Sequence, residues 1–448
     1  EVTNYIWVFN TGTAGFTTNA TATTTTGIPP GLTDGTNAID FAGNTDDNFF
    51  YNCNVSTTNN IATLRTALAT EANFTSGFAN EDYKAPTLCF GIATWLGTTS
   101  DWATATNWFN GVLPNNFSNV DIPELATAPI INGTTAALAG NLNVTEADGI
   151  NISAGGSLIV SGTSSGNVTY NRTLTFISGN TEGWHLVASP VGGETYNNAF
   201  GNDNNLAASG TRRGLATYTT GSDSWSYLEN DDSNASAFNS GLGYSLKRAS
   251  TGTVSFTGTI NTSDAGVNAP VLIGGTGGFN LLGVPYTSYI NSATFLTDNT
   301  GNLVSETIWL WNPTTKNYET KVTVDGFILA PGQGFFARAS SATNLNFAEI
   351  NQTGNTDTFQ KSSKTEIKVM MTDGENDRFT KIYYLPNATK GFDNGYDGET
   401  FGGQPNATDI FTQLLAENVG KKYQVQSIPN SDYEEMITPV GIIADAGK

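Results

Sequence analysis

The side chains able to do acid–base, nucleophilic or metal chemistry are few and scattered. His185 is the only histidine. It lies in Gly183-Trp184-His185-Leu186-Val187-Ala188-Ser189-Pro190, and a second, similar segment carries Asn280 at the matching position. A position filled by asparagine in its twin reads as a strand residue rather than a catalytic base. No Ser-His-Asp or Cys-His set assembles without giving every role to that one ring. Two cysteines, Cys53 and Cys89, with one histidine are a poor basis for structural zinc. In an exported protein they are expected to pair, closing a loop of 36 residues (89 − 53) and stabilising by roughly 3–4 kcal/mol. The alternative is two buried thiols, and the redox compartment decides between them.

Hard oxygen donors cluster at Asp46/Asp47/Asn48, Asn230/Asp231/Asp232, Asp373/Glu375/Asp377 and Asp393/Asn394/Asp397/Glu399. The last group has Gly395 and Gly398 to turn the chain around an ion, so calcium is the cofactor this sequence suits best. It lacks the twelve-residue EF-hand spacing, and the competing reading is solvated turn residues. With 40 acidic residues, carboxylate pairs arise everywhere and none is singled out for glycoside hydrolysis. Gly332-Gln333-Gly334 does not open a helix after a strand, so it is no dinucleotide fingerprint. It reads as close backbone approach between strands. Among aromatics, Trp95, Trp102 and Trp108 are spaced seven and six apart, and Trp309 and Trp311 share a strand face. Such rings stack on sugars when exposed and anchor cores when buried. Packing is favoured, because aromatics recur at equivalent positions of an internal repeat.

The elements that must hold these residues are strands. Leu142/Val144, Ile150/Ile152 and Leu158/Val160 are apolar pairs two apart at an eight-residue rhythm, as in a short solenoid or meander that gives one strand and one turn per unit. Gly183–Pro190 matches Gly278–Pro285 at an offset of 95. Tyr218 and Trp225 match Trp311 and Tyr318 at 93, and Gly241-Leu242-Gly243-Tyr244 matches Gly332-Gln333-Gly334-Phe335 at 91. Order is kept while offsets drift, as loop-length changes produce. Each copy reads as a strand, an aromatic hairpin, a Gly-x-Gly-aromatic strand and a closing strand, packing as paired sandwiches or one pseudo-symmetric unit. Glu366–Met371 and Phe379–Leu385 read as strands around a turn, and 423–429 as an alternating strand. Ile61–Phe74 has helical spacing. The expected class is all-β, tandem β-sandwich and short solenoid modules with one short N-terminal helix. The expected modules are 1–93, 94–175, 176–355 (copies about 176–265 and 270–355) and 356–448.

Composition narrows function. A net charge of −21 leaves nothing to neutralise a phosphate backbone, which excludes nucleic acid, and an anionic membrane would repel the chain. No run of eighteen apolar residues occurs. The low charge content, with 38% hydrophobic residues, argues for packed cores over disorder. The chain is expected to start inside a longer precursor or after a removed leader, and to continue past Lys448.

The stretch Trp95-Leu96-Gly97, Asp101-Trp102, Asn107-Trp108 and Gly111-Val112-Leu113-Pro114 carries a resemblance. So do Trp184–Val191, Phe279–Tyr286, Leu329–Ala339 and Ala388–Asp397. Over about 94–448 the chain resembles large cell-surface proteins exported by the type IX secretion system, in modules preceding a type A C-terminal sorting domain. The resemblance implies passage through the outer-membrane secretion machinery, with the sorting domain outside this chain. The expected function is therefore structural or adhesive display at the outer cell surface or outside the cell, without catalysis. Two alternatives stand: a carbohydrate-binding region of a larger secreted enzyme, and a filament or sheath subunit. Surface glycans or copies of the chain are the expected partners.

Overall fold

A computed structural model describes residues 92–354 apart from 126 and 276. It also describes 365–444 apart from 373, 375–376, 404–405, 407 and 432–435, and two short strands at Tyr5–Trp7 and Phe49–Tyr51. Cys53, Cys89, the first donor cluster and the helix expected over Ile61–Phe74 lie outside the described residues, as do Asp373 and Glu375. The protein is all-β. Its chain forms two compact units, one of residues 1–129, 137–147 and 160–165, the other of 130–136, 148–159 and 166–448.

The strands leading into the repeat include β1 (Ile92–Thr94), β2 (Asn119–Ile122), β3 (Ile130–Ile131), β4 (Asn141–Val144), β5 (Ile150–Ile152), β6 (Ser164–Ser165) and β7 (Val168–Leu174), with a separate pair at Ala136–Ala139 and Ser157–Val160. In the first unit β6, β4, β2 and β1 form a parallel sheet in that order. Asn119 pairs with Asn141 and Leu142 with Ser164, a step of 22 residues. In the second unit β3 and β5 pair in parallel, as do β5 and β7. The eight-residue rhythm therefore marks strand and turn, while ladder partners lie 18 to 27 residues on (Ile150 with Val168, Ile92 with Asn119): parallel strands need a crossover and cannot be joined by a tight turn. The apolar pairs point inward as their spacing requires, with Ile150, Ile152 and Leu158 fully buried. Outside, the register stacks amides: Asn141 Nδ2 donates to Asn119 Oδ1 at 2.7 Å, and Asn143 Nδ2 to Asp121 Oδ1 at 2.8 Å.

The duplication extends to the order of four strands in each copy's sheet, the first copy's sheet adding a fifth, two-residue strand at Ala208–Ser209. The first copy contains β8 (His185–Val187), α1 (Asn198–Asp203), β9 (Arg212–Thr219), β10 (Ser224–Glu229), β11 (Tyr244–Leu246) and β12 (Gly252–Gly258). The second contains β13 (Val267–Val271), β14 (Phe279–Gly283), α2 (Ser292–Asp298), β15 (Leu303–Asn312), β16 (Asn317–Val322), β17 (Gly334–Ala339) and β18 (Thr343–Phe347). The sheet order is β8-β11-β9-β10 in one and β14-β17-β15-β16 in the other, with β12 paired to β7 and β18 to β13. Sequence periodicity gave no sign of α1 and α2, because six or seven residues are too few to show a helical repeat. Each begins at an asparagine cap: Asn197 Oδ1 accepts from Phe200 N, and Asn291 Oδ1 from Ala293 N. The buried amide after each helix also repeats. Asn204 ties Phe200 to Ser255, and Asn299 ties Phe295 to Asn346.

The copies meet through reciprocal contacts. Val187 bridges Gln333 while its equivalent Leu282 bridges Leu242. Ala188 N donates to Gly332 O at 2.8 Å and Gly283 N to Gly241 O at 3.0 Å. Equivalent residues exchanging equivalent contacts define a pseudo-two-fold. The Gly-x-Gly strings serve this seam. Gly241 and Gly332 have φ of +83° and +64°. A Cβ on Gly243 would meet Leu282 O at 2.5 Å, and one on Gly334 would meet Val187 N at 2.7 Å. Only glycine satisfies both demands.

The chain ends in a further sheet of β19 (Thr365–Thr372), β20 (Asp377–Leu385), β21 (Asp409–Thr412), β22 (Tyr423–Pro429) and β23 (Val440–Ile443), ordered β19-β20-β22-β21-β23. β19 and β20 pair from Thr365↔Tyr384 to Thr372↔Asp377. The alternation expected of 423–429 does not mean a half-exposed strand: Tyr423 through Ile428 are all buried. β22 lies at the centre of the sheet. Gln424 Oε1 accepts from Thr320 N and Ser427 Oγ donates to Tyr396 O, while the buried Gln426 amide meets no hydrogen-bond partner among the described residues.

Candidate functional site

The tryptophans singled out by spacing fall into two groups. Trp95, Trp102 and Trp108 are 1, 2 and 1% exposed, which removes them as glycan-stacking residues. They form an edge-to-face chain with ring centroids 5.0 and 4.6 Å apart. Trp95 Nε1 donates to Thr127 O, and Trp108 Nε1 to Trp102 O. Asn107, fully buried, accepts from Thr99 N and donates to Asp101 O, so the motif is a folded knot. Trp309 is likewise buried, its Nε1 bonded to Glu399 O at 2.9 Å. Trp311 alone of the five stays half-buried beside a cavity.

The calcium candidates are not brought together. Asp397 is fully buried, and its two oxygens accept from Asp393 N at 2.7 Å and Ser427 N at 2.6 Å. Asp393 accepts from Thr389. Asn394 bonds Glu306, and Glu399 pairs with Lys421 at 2.5 Å. Among the described residues no group of three or more His, Cys, Asp or Glu is gathered closely enough to hold a metal. Burial pushes Asp397 up to about 7 against the pull of those two N–H donors. In the Asn230–Asp232 turn, the Asp231 carboxylate accepts from Ser233 N and that of Asp232 from Asn198 N. His185 is a half-buried strand residue whose Nε2 lies 2.9 Å from Thr175 O, and burial lowers its pKa.

What the strands do assemble is an aromatic groove in the first copy. Trp184 precedes β8, Trp225 and Tyr227 alternate on β10, and Trp311 reaches over from β15 of the second copy. These four are half-buried, and they wall a cavity of about 260 Å³ with Tyr318. Trp184 and Tyr227 meet edge-to-face at 5.6 Å, and Trp311 lies 4.9 Å from Tyr318. Two indole N–H groups lock the walls: Trp311 Nε1 donates to Trp184 O at 2.9 Å, and Trp184 Nε1 to Asn180 O at 3.2 Å. The exposed Asn180 and Thr181 supply a polar rim, and the buried Ser245 lines the cavity from β11. Lys247, 6% exposed, donates to the carbonyls of Gly179 and Glu182 and so fixes the loop carrying that rim. Burial raises the phenol of Tyr318, which remains a neutral group.

The second copy shows why the groove is open. Ala216 pairs with Ser245 across β9 and β11, and the equivalent pair across β15 and β17 is Trp309 with Phe336. Two large rings in one copy thus stand where the other has a methyl and a hydroxymethyl group. The second copy gains a further ring from outside the repeat. Phe401, 4% exposed, sits 4.1 Å from Tyr318, 4.9 Å from Phe279 and Phe336, and 5.7 Å from Trp309. The same framework is therefore a packed aromatic core in one copy and a ring-sized vacancy in the other. Neither Ala216 nor Ser245 bears chemistry, so residue type alone does not mark them. The signal was their mismatch with Trp309 and Phe336.

Beside this cavity, and sharing Asn180, Trp184 and Tyr227 with it, is a second hollow of about 600 Å³ lined by Arg212, Arg213 and Lys247. The Arg212 guanidinium lies over the Tyr227 ring at 5.5 Å, with its side chain 60% exposed. Arg213 Nε donates to Asn198 Oδ1 at 2.7 Å.

These features define an all-β protein built on an internal repeat, with an open aromatic groove in one copy and a filled counterpart in the other. Residues 94–327 match a family described as a domain of unknown function (DUF8693), and the chain belongs to that family. No curated protein and no solved structure matches it.

Proposed function

We propose that this chain is a non-catalytic recognition module of an exported cell-surface protein, adhesive in action, which holds the apolar face of a sugar ring in the groove of the first copy. The observation that carries the reading is the set of partly exposed rings Trp184, Trp225, Tyr227 and Trp311 around a cavity that Asn180, Thr181 and Ser245 also line. Flat apolar walls with a few placed polar groups suit a pyranose, whose C–H face stacks while its hydroxyls bond the edge. The likeness of the Trp-Leu-Gly, Trp-His-Leu-Val-Ala-Ser-Pro and Ala-Pro-Gly-Gln-Gly-Phe-Phe strings to type IX secretion substrates supports an outer-surface or extracellular location and passage through the outer-membrane machinery. The test is an oligosaccharide panel titrated against the chain by tryptophan fluorescence. Saturable quenching that is lost in Trp225→Ala and Trp311→Ala is expected; a flat response to every saccharide refutes the reading.

A second reading, self-assembly into a filament or sheath, is favoured by β19. This edge strand of eight residues exposes Ile367 at 45% and Met370 at 59%, and open apolar edges invite strand pairing. Light scattering across a concentration series tests it: a monomer throughout would remove it.

A further inference from the structure

We infer that the groove selects an acidic saccharide, one whose ring stacks in the aromatic cavity while its carboxylate reaches the neighbouring cationic hollow; this rests on the saccharide reading above. The chain carries a net charge of −21, with 19 basic against 40 acidic residues. Yet the hollow beside the rings is lined by three cations, Arg212, Arg213 and Lys247, and no Asp or Glu lines it. The two spaces share Asn180, Trp184 and Tyr227, so a ligand seated against Trp184 and Tyr227 has one edge in each. A local cationic spot on a strongly acidic molecule is a selective feature, because the surrounding field repels anions that lack a partner for the rings.

The three cations differ in how far they are committed. Lys247 spends its donors on the carbonyls of Gly179 and Glu182, and Arg213 gives Nε to Asn198. Arg212 has Glu229 3.5 Å from its Nε, its guanidinium carbon lies 5.5 Å from the centre of the Tyr227 ring, and its side chain is 60% exposed where it lines the hollow. A planar fork held on an aromatic face is pre-organised for two parallel hydrogen bonds to a carboxylate. The nearby Glu182 is paired with Lys316 at 3.5 Å, so it adds little opposing charge.

The experiment is calorimetric titration of the whole chain with short galacturonate, glucuronate and mannuronate oligomers. Each is set against its carboxyl-reduced counterpart, which keeps the ring and removes the charge. At least one acidic oligomer is expected to bind about tenfold more tightly than its reduced form, the worth of one charge-assisted hydrogen-bonded pair. Arg212→Gln is expected to shrink that ratio to about threefold or less, while Trp225→Ala weakens both members of the pair. Arg212 is largely exposed, so its unfolding midpoint serves as the folding control. Equal affinity for acidic and reduced oligomers, both lost in Trp225→Ala, overturns the inference and leaves the saccharide reading standing. Binding of neither form overturns both.

Discussion

Phe401, which packs into the second copy from outside the repeat, and Trp225, on the hairpin of the first, have opposite energetic roles. Phe401→Ala empties the centre of the second copy's aromatic core. The side chain is 4% exposed and its ring lies within 5.7 Å of four others. Truncating a phenylalanine so enclosed costs about 3–5 kcal/mol, because lost transfer energy adds to the void left behind. Trp225 packs on Tyr218 at 5.2 Å and only distantly on Phe336 at 6.4 Å, and its other side borders the open cavity. Its removal leaves no enclosed void and should cost about 1–2 kcal/mol. Urea unfolding followed by far-ultraviolet circular dichroism gives both numbers, since a midpoint shift at constant slope reads stability alone. The expected result is a loss in Phe401→Ala at least twice that in Trp225→Ala. Equal losses, or a loss below about 1 kcal/mol in Phe401→Ala, would refute the division into filled and open copies.

Further outcomes follow from the same geometry. Gly243→Ala drives a Cβ to 2.5 Å from Leu282 O at the pseudo-two-fold seam, and should destabilise by about 2 kcal/mol or more in urea unfolding; tolerance would mean the seam is looser than described. Asn204→Ala and Asn299→Ala each strand a backbone N–H, that of Ser255 or Asn346, at about 1–3 kcal/mol, and the two losses should be similar. Asp397 is raised by burial from 3.8 to about 7, so the folded chain holds its proton more tightly than the unfolded chain does. Its contribution is therefore neutral below pH 4 and falls progressively as pH rises to about 7. Unfolding midpoints measured from pH 4 to 8 in wild type and Asp397→Asn should differ in slope below pH 7 and run parallel above it. Parallel curves throughout would show that the carboxyl titrates normally.

Much of the repeat was legible because offsets of 95, 93 and 91 are what a fixed strand order with varying loops leaves in a sequence. Val187 and Leu282, or Gly243 and Gly334, could be matched before any strand was placed. The parallel ladders were not, since the rhythm at 142, 150 and 158 reports where strands start but not that Asn119 pairs with Asn141. Single residues misled where exposure mattered. Trp309 and Trp311 share a strand, yet one is buried against Phe401 and the other opens onto the groove. Asp397 looked like an ion ligand and proved to be a buried acceptor of two backbone donors. The groove itself was written as an absence of bulk at Ala216 and Ser245, which only the comparison of one copy with the other reveals.

The most direct measurement is saccharide titration of wild type beside Ser245→Phe, which gives the first copy the residue its twin has at 336. A ring at 245 fills the vacancy as Phe336 does, so saturable binding in wild type and at least a tenfold loss in the variant are expected, with unfolding midpoints within about 1 kcal/mol of each other. Undiminished binding by a folded Ser245→Phe chain would place the recognition surface elsewhere and contradict the account.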